Sequence, residues 1–112
     1  MNSFDCAMNK KPSARPDVDR DHVALAEYRA SIDNIDASLI YLMAERFKIT
    51  ERVGEYKKEK GLPAASADRE QVQFERMKKL AAEAGVDQEF MGKFLRFIMD
   101  EVIRRHERIK ER

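Results

Sequence analysis

The stretch RASIDNIDASLIYLMAERFKITERVGEYK, residues 29–57, decides the fold because its apolar residues recur at the spacing of one helix face. With the residues just before it, this face comprises Leu25, Tyr28, Ile32, Ile35, Leu39 and Leu42, and it continues at Ile49, Val53 and Tyr56. Alternating steps of three and four residues are typical of a helix that packs against other helices. The stretch therefore predicts a long helix with an apolar seam.

One position of this seam is charged. The step from Leu42 to Ile49 passes through position 46, which is an arginine. An unpaired buried charge is costly, so Arg46 must either extend its guanidinium to water or meet an anion. Both alternatives are open at this point, and the second makes Arg46 a candidate binding residue.

Length and composition limit the classes of function. The chain has 112 residues, which suits one domain, and its 22 basic and 21 acidic residues leave a net charge of +1. This balance gives no overall attraction to nucleic acid or an acidic membrane. The single cysteine, Cys6, excludes an intrachain disulfide and favours a reducing compartment. Because we find no secretory apolar segment and no uncharged run near the ~20 residues of a membrane span, we expect a soluble, cytoplasmic protein.

Capping residues divide the chain into three helices, so we expect an all-α fold with one long, one short and one medium helix. Asp21 is the predicted N-cap of the first, which ends near Lys60 before Gly61. Ser66 and Asp87 are the predicted N-caps of the second and third helices.

Residues 1–20 lack apolar periodicity, and we interpret them as a flexible tail before a helical domain at 21–112. A first helix of roughly 39 residues would be about 58 Å long. A monomeric domain of this size has a radius of gyration near ~13 Å. We therefore expect the long helix to pack against a second chain in an oligomer.

Several polar residues share faces with apolar ones. Arg46 and Lys57 are eleven residues apart, about three turns, so both point the same way and could hold a compact dianion between them. Glu70 shares the inward face of the second helix, with Arg69 beside it at the helix start. His106 ends an apolar row on the third helix, one turn after Val102. Singly, each of these could also be an ordinary surface or packed residue.

Arg29 differs from these candidates in its position on the first helix. It lies seventeen residues before Arg46, about 25 Å along the axis and ~100° around it. The two cannot hold one small molecule from the same helix copy. If Arg29 is functional, it serves a site formed mainly by another chain of a two-fold dimer.

The combination of these residues resembles the all-helical class of chorismate mutase. The strings that carry the resemblance are YRASIDNIDASLIYLMAERFKITERVGEYKKEKGLP, ADREQVQFERM and FLRFIMDEVIRRH, which span most of residues 25–107. The resemblance implies an intertwined homodimer with two equivalent sites, each completed by an arginine from the partner. At 112 residues we expect a monofunctional protein, without the dehydratase or dehydrogenase domain that some members carry.

The resemblance also implies a role for each candidate residue in the rearrangement of chorismate to prephenate, a step of phenylalanine and tyrosine biosynthesis. Arg29, from the partner chain, and Arg46 would bind the two carboxylates. Lys57 would hydrogen-bond the ether oxygen of the breaking bond, Glu70 would accept the ring hydroxyl, and Arg69 would lie at the edge. The reaction is an intramolecular pericyclic shift, so we expect no metal and no cofactor.

Three substrate-site positions depart from the family pattern. His106 stands where members commonly carry a glutamine that donates to the ether oxygen, Val102 replaces a small hydroxyl residue, and Ser66 replaces an acidic helix cap. Our hypothesis is that His106 fills the donor role, either as imidazolium or as the neutral tautomer protonated on its inward nitrogen.

Two alternatives to the mutase stay open. An isochorismate pyruvate-lyase of the same fold also uses arginines and a lysine around a similar dianion, but Glu70 is not expected there. A non-catalytic helical dimer that regulates a partner enzyme of aromatic biosynthesis would explain Val102 and Ser66. That alternative gives no reason to bury several cations.

Overall fold

The computed structural model describes residues 16–112 of the chain, with side chains from Arg20 onward, as three α-helices. They are α1, Pro16–Lys60; α2, Ala67–Ala84; and α3, Gln88–Glu111. No strand occurs within this range. The predicted all-α class and the order of long, short and medium helices are confirmed.

The start of α1 differs from the prediction. The helix begins at Pro16, ahead of the predicted cap Asp21, so the last residues of the predicted tail are helical. Proline is favoured in a first helical turn, where its missing N–H would have no partner, and this signal outweighs the capping signal of Asp21. Residues 1–15, which include Cys6, lie outside the described residues, and their flexibility stays a prediction.

The predicted helix ends are confirmed at two glycines. Gly61 follows the last residue of α1 with a φ of 68°, and Gly85 follows α2 with a φ of 74°. Glycine adopts this left-handed conformation without a steric penalty and so ends a helix readily. After α1, the backbone N–H of Leu62 donates to the carbonyl of Lys57 at 2.8 Å, which fixes the turn.

The predicted caps of α2 and α3 are also confirmed. The Ser66 hydroxyl oxygen accepts the backbone N–H of Arg69 at 3.3 Å, and an Asp87 carboxylate oxygen accepts the N–H of Glu89 at 3.2 Å. Each cap satisfies an N–H that the helix itself leaves without a partner. The two caps fix where the second and third helices begin.

None of the three helices has an apolar segment that could cross a bilayer, over the residues that the structure describes.

The contacts between residues divide the chain into an N-terminal and a C-terminal part, with the boundary between Glu45 and Arg46. In the N-terminal part, the apolar seam of α1 is exposed in the single chain. Tyr28 is 68% exposed, Ile35 62% and Leu42 66%. A continuous apolar surface of this kind marks a place where another molecule binds.

In the C-terminal part, the end of α1 packs closely against α3 at Gly54. A Cβ atom at this position would lie 2.7 Å from His106 Cδ2 and 2.8 Å from Ile109 Cδ1. Both side chains are 3% exposed and have little room to move. Only glycine allows this approach. Near the helix ends, Lys58 Nζ donates to the carbonyl oxygen of Arg112 and adds a second link between α1 and α3.

We predict that Gly54→Ala lowers the free energy of unfolding by about 1–3 kcal/mol, because the added methyl group overpacks the contact with His106 and Ile109. Gly92→Ala is the matched control. Its Cβ would lie 3.7 Å from Met77 Cε, an ordinary contact, so the better helix propensity of alanine should stabilise it by roughly 0.5–1 kcal/mol. Urea denaturation of both variants measures the difference, and equal stabilities would contradict the close approach.

Candidate active site

A cavity of about 320 Å³ lies in the C-terminal part of the chain, a volume in the range of small-molecule sites. The end of α1 contributes Arg46 and Lys57 to its walls, and α3 contributes Val102 and His106. The N-terminal end of α2 and its cap contribute the remaining predicted residues, which are Ser66, Arg69 and Glu70. The cavity thus brings together every candidate site residue except Arg29.

Arg29 lies on α1 in the N-terminal part of the chain. Its side chain is exposed, and it is not among the residues that line the cavity. The prediction that it serves a site in a second copy stays a prediction.

Arg46 has a guanidinium nitrogen that is hidden from solvent. The residue as a whole is half-buried, but its Nη1 atom is buried and has no hydrogen-bond partner among the described residues. A buried donor without a partner costs free energy that a bound acceptor would recover. Of the two alternatives that the sequence left open, this geometry favours an anion over water.

Lys57 is a second cation whose charged form is disfavoured in the free chain. The residue is half-buried, and its Nζ donates to the carbonyl oxygen of Ala64 at 2.9 Å. Burial, and then the positive charge of Lys110, lower its pKa from the ordinary lysine value. An anion in the cavity would reverse this effect because an opposite charge favours the ammonium form. Lys57 therefore also suits an anionic ligand.

The start of α2 adds positive potential to the same cavity. The helix dipole favours anions at this end. Ser66 accepts the Arg69 N–H with its oxygen, and its hydroxyl proton can still be donated to a ligand. The Arg69 side chain is exposed and lies on the cavity wall, and its predicted role at the edge of the site stays a prediction.

Glu70, the carboxylate of the site, is held by an arginine that the sequence analysis missed. Nη2 of Arg96, on α3, donates to Glu70 Oε1 at 2.8 Å. This hydrogen bond is the main reason that the pKa of Arg96 is raised above its ordinary value. The signal for Arg96 was present, because it is the one charged residue in the apolar run FLRFIM at 94–99.

His106 is buried and its ring is fixed by the backbone of α1. Its Nε2 atom lies 2.7 Å from the carbonyl oxygen of Thr50. Since a carbonyl only accepts, Nε2 carries the proton of this bond. The Nδ1 atom is buried without a partner among the described residues. A ring that keeps this bond and also donates from Nδ1 has to be imidazolium, because a neutral imidazole carries only one N–H. The role of His106 as a donor stays a prediction.

Two further polar residues line the cavity and were not predicted. Thr50 is one turn after Arg46, and its hydroxyl donates to the carbonyl of Phe47 at 3.2 Å. Gln73 is one turn after Glu70. Helical spacing from the predicted residues would have indicated both positions. Val102 is half-buried and supplies an apolar part of the wall.

The site agrees with a comparison against protein families. The model of the chorismate mutase type II family matches residues 28–107, which include Arg29 and every predicted cavity residue. The chain belongs to this family.

Curated relatives of this chain fall into two groups by length. This chain is 34% identical to the chorismate mutase of Methanocaldococcus jannaschii over 76 residues, a stretch that covers 68% of this chain and 77% of that protein. It is 33% identical over 78 residues to the T-protein of Haemophilus influenzae, covering 70% of this chain and 21% of that protein. A bifunctional chorismate mutase/prephenate dehydratase of Aquifex aeolicus is 39% identical over 59 residues, 53% of this chain and 16% of that protein.

The family match confirms the resemblance that the sequence of residues 25–107 shows. With it are confirmed the all-helical class and the assignment of the chain to the isomerases as a chorismate mutase. The roles of the individual side chains are not tested by this match.

We predict that Arg46→Met stabilises the ligand-free chain by about 1 kcal/mol, because it removes a buried donor for which the described part of the chain supplies no acceptor. A small dicarboxylate at saturating concentration should raise the melting temperature of the wild type but not of this variant. Thermal unfolding with and without ligand measures both effects.

The exposed Arg76, on α2 and outside the cavity, provides the matched control. Arg76→Met should change stability by less than about 0.5 kcal/mol and keep the response to dicarboxylate. An Arg46→Met variant that still responds like the wild type would contradict the anion site.

Proposed function

We propose that the cavity is an active site in which chorismate rearranges to prephenate, in the biosynthesis of phenylalanine and tyrosine. The observation that carries the proposal is that Arg46, whose Nη1 is buried without a partner among the described residues, lines a small cavity together with Lys57 and Glu70. These groups match a dianion that also carries a hydroxyl. Family membership supports the same reaction.

The reaction is an intramolecular pericyclic shift, so the protein has two tasks. It must hold the enolpyruvyl side chain over the ring in a conformer close to the transition state. It must also stabilise the negative charge that develops on the ether oxygen as the C–O bond breaks. Fixed hydrogen-bond donors can do both.

In our proposal Arg46 binds one carboxylate and Lys57 donates to the ether oxygen. The lowered pKa of Lys57 supports this role, because the developing negative charge in the transition state stabilises the ammonium that burial disfavours in the free chain. The gain is therefore larger in the transition state than in the free protein, as catalysis requires.

His106 is the second donor to the ether oxygen in this proposal. Nε2 already donates to Thr50, so Nδ1 has to carry the second proton and the ring acts as imidazolium. Glu70 accepts the ring hydroxyl, Ser66 and Arg69 contribute at the start of α2, and Val102 forms part of the apolar wall.

We further propose that the chain acts as a homodimer in which Arg29 of one copy completes the site of the other. The exposed apolar seam of α1 supports this assembly, since Tyr28, Ile35 and Leu42 lie on it and are each more than half exposed in the single chain. We place the protein in the cytoplasm, since a single cysteine suits a reducing compartment. We also propose a partner enzyme of aromatic biosynthesis, which the bifunctional Aquifex relative supports.

We predict that the purified protein consumes chorismate and forms prephenate, and that Arg46→Ala lowers kcat/KM by at least about a hundredfold, since a charged carboxylate contact is lost and leaves an unpaired partner. Loss of chorismate absorbance, with identification of the product, measures both. Arg76→Ala, outside the cavity, is the control and should keep wild-type activity.

Other outcomes of this assay would change the proposal. Release of pyruvate from isochorismate, without turnover of chorismate, would indicate the pyruvate-lyase. Inactivity with both substrates would indicate a helical binding protein.

We predict that His106→Ala lowers kcat by about 10²–10³, the usual effect of removing one donor to a developing oxyanion. His106→Gln should retain much of the activity, because an amide donates without having to gain a proton. Unchanged turnover in His106→Ala would remove the residue from the mechanism.

A further inference from the structure

Arg96 is held in place by three contacts, although it does not line the cavity itself. Its Nη2 donates to Glu70 Oε1 at 2.8 Å, and its Nη1 donates to Asp100 Oδ1 at 3.2 Å. Its guanidinium carbon lies 5.1 Å from the centre of the Phe74 ring. Asp100 is one turn further along α3, and Phe74 is one turn after Glu70 on α2, so Arg96 joins the two helices.

This arrangement leaves the Glu70 carboxylate little rotational freedom. A planar guanidinium that is hydrogen-bonded at both terminal nitrogens and lies over an aromatic ring presents its N–H groups in one direction. The Glu70 side chain is 23% exposed, compared with 41% for Arg96, so the carboxylate is the more enclosed partner. With Oε1 engaged by Arg96, Oε2 is the oxygen that remains for a hydroxyl donor in the cavity.

We propose that Arg96 is a positioning residue that fixes the Glu70 carboxylate for the ring hydroxyl of the substrate. The proposal rests on the proposed function, because it assigns Glu70 to that hydroxyl. Arg96 touches no reacting atom, and it acts only through the orientation and charge of Glu70. Removing the Arg96 side chain should therefore lower kcat/KM only when Glu70 is present and the substrate carries the ring hydroxyl.

The test is a double-mutant cycle on kcat/KM for chorismate, with folding checked by thermal unfolding. Arg96→Ala should lower kcat/KM about tenfold, the scale of one lost charged hydrogen bond. Glu70→Ala should lower it more, and adding Arg96→Ala to Glu70→Ala should cause no further loss. Arg96→Lys should fall between the wild type and Arg96→Ala, because an ammonium can replace the charge but not the two-armed geometry.

Two controls separate positioning from general destabilisation. Arg104 lies on the same helix in an ion pair with Glu101 at 2.6 Å, outside the cavity, and Arg104→Ala should keep wild-type kcat/KM. With a chorismate analogue that lacks the ring hydroxyl, Arg96→Ala should turn over as fast as the wild type. Should Arg96→Ala fail to fold, Arg96→Lys and Asp100→Ala take its place in the cycle.

The results distinguish this inference from the proposed function. Wild-type activity in Arg96→Ala, or a loss that multiplies with that of Glu70→Ala, would overturn the positioning role and leave the mutase intact. A wild type without chorismate turnover would overturn the proposed function and this inference with it.

Discussion

The half-buried guanidinium of Arg46 is the constraint on which the site depends. It stands on an apolar helix face, and one of its nitrogens is buried without a partner among the described residues. Such a group is costly in the free chain and becomes favourable only when an acceptor enters. The pKa of Lys57 is lowered in the same cavity. An anion that entered the cavity would lower both costs, because it would give Arg46 an acceptor and would favour the ammonium form of Lys57.

The same cavity has to avoid being neutralised by its own carboxylate. Glu70 lines the same cavity as Arg46 and Lys57. A carboxylate without another partner would compete with the substrate for these two cations. The structure instead commits Glu70 Oε1 to Arg96 from α3. The pair keeps an acceptor in the site, while Arg46 Nη1 stays without a partner among the residues that the structure describes. A cationic site can thus also contain one acceptor.

Helical spacing in the sequence was sufficient to predict the three helices and to select most of the polar residues that the cavity brings together. The apolar seam that includes Ile35 predicted α1, and the N-caps Ser66 and Asp87 predicted where α2 and α3 begin. Arg96 could have been singled out as the one charged residue of the run FLRFIM, but its contact with Glu70 could not, because spacing within one helix does not reveal a contact between two. The ring orientation of His106 could not be predicted either. It is set by the backbone carbonyl of Thr50, and because every residue has such a carbonyl, the sequence does not indicate which one the ring contacts.

The close approach at Gly54 has a consequence for how such a chain can evolve. The imidazole of His106 fills the space that a side chain at position 54 would need. A Cβ atom at position 54 would lie 2.7 Å from the ring carbon Cδ2. The two positions therefore cannot vary independently. A lineage that gained a side chain at position 54 would first need smaller or more flexible residues at positions 106 and 109, so the spacing between the helices limits which side chains the cavity wall can acquire.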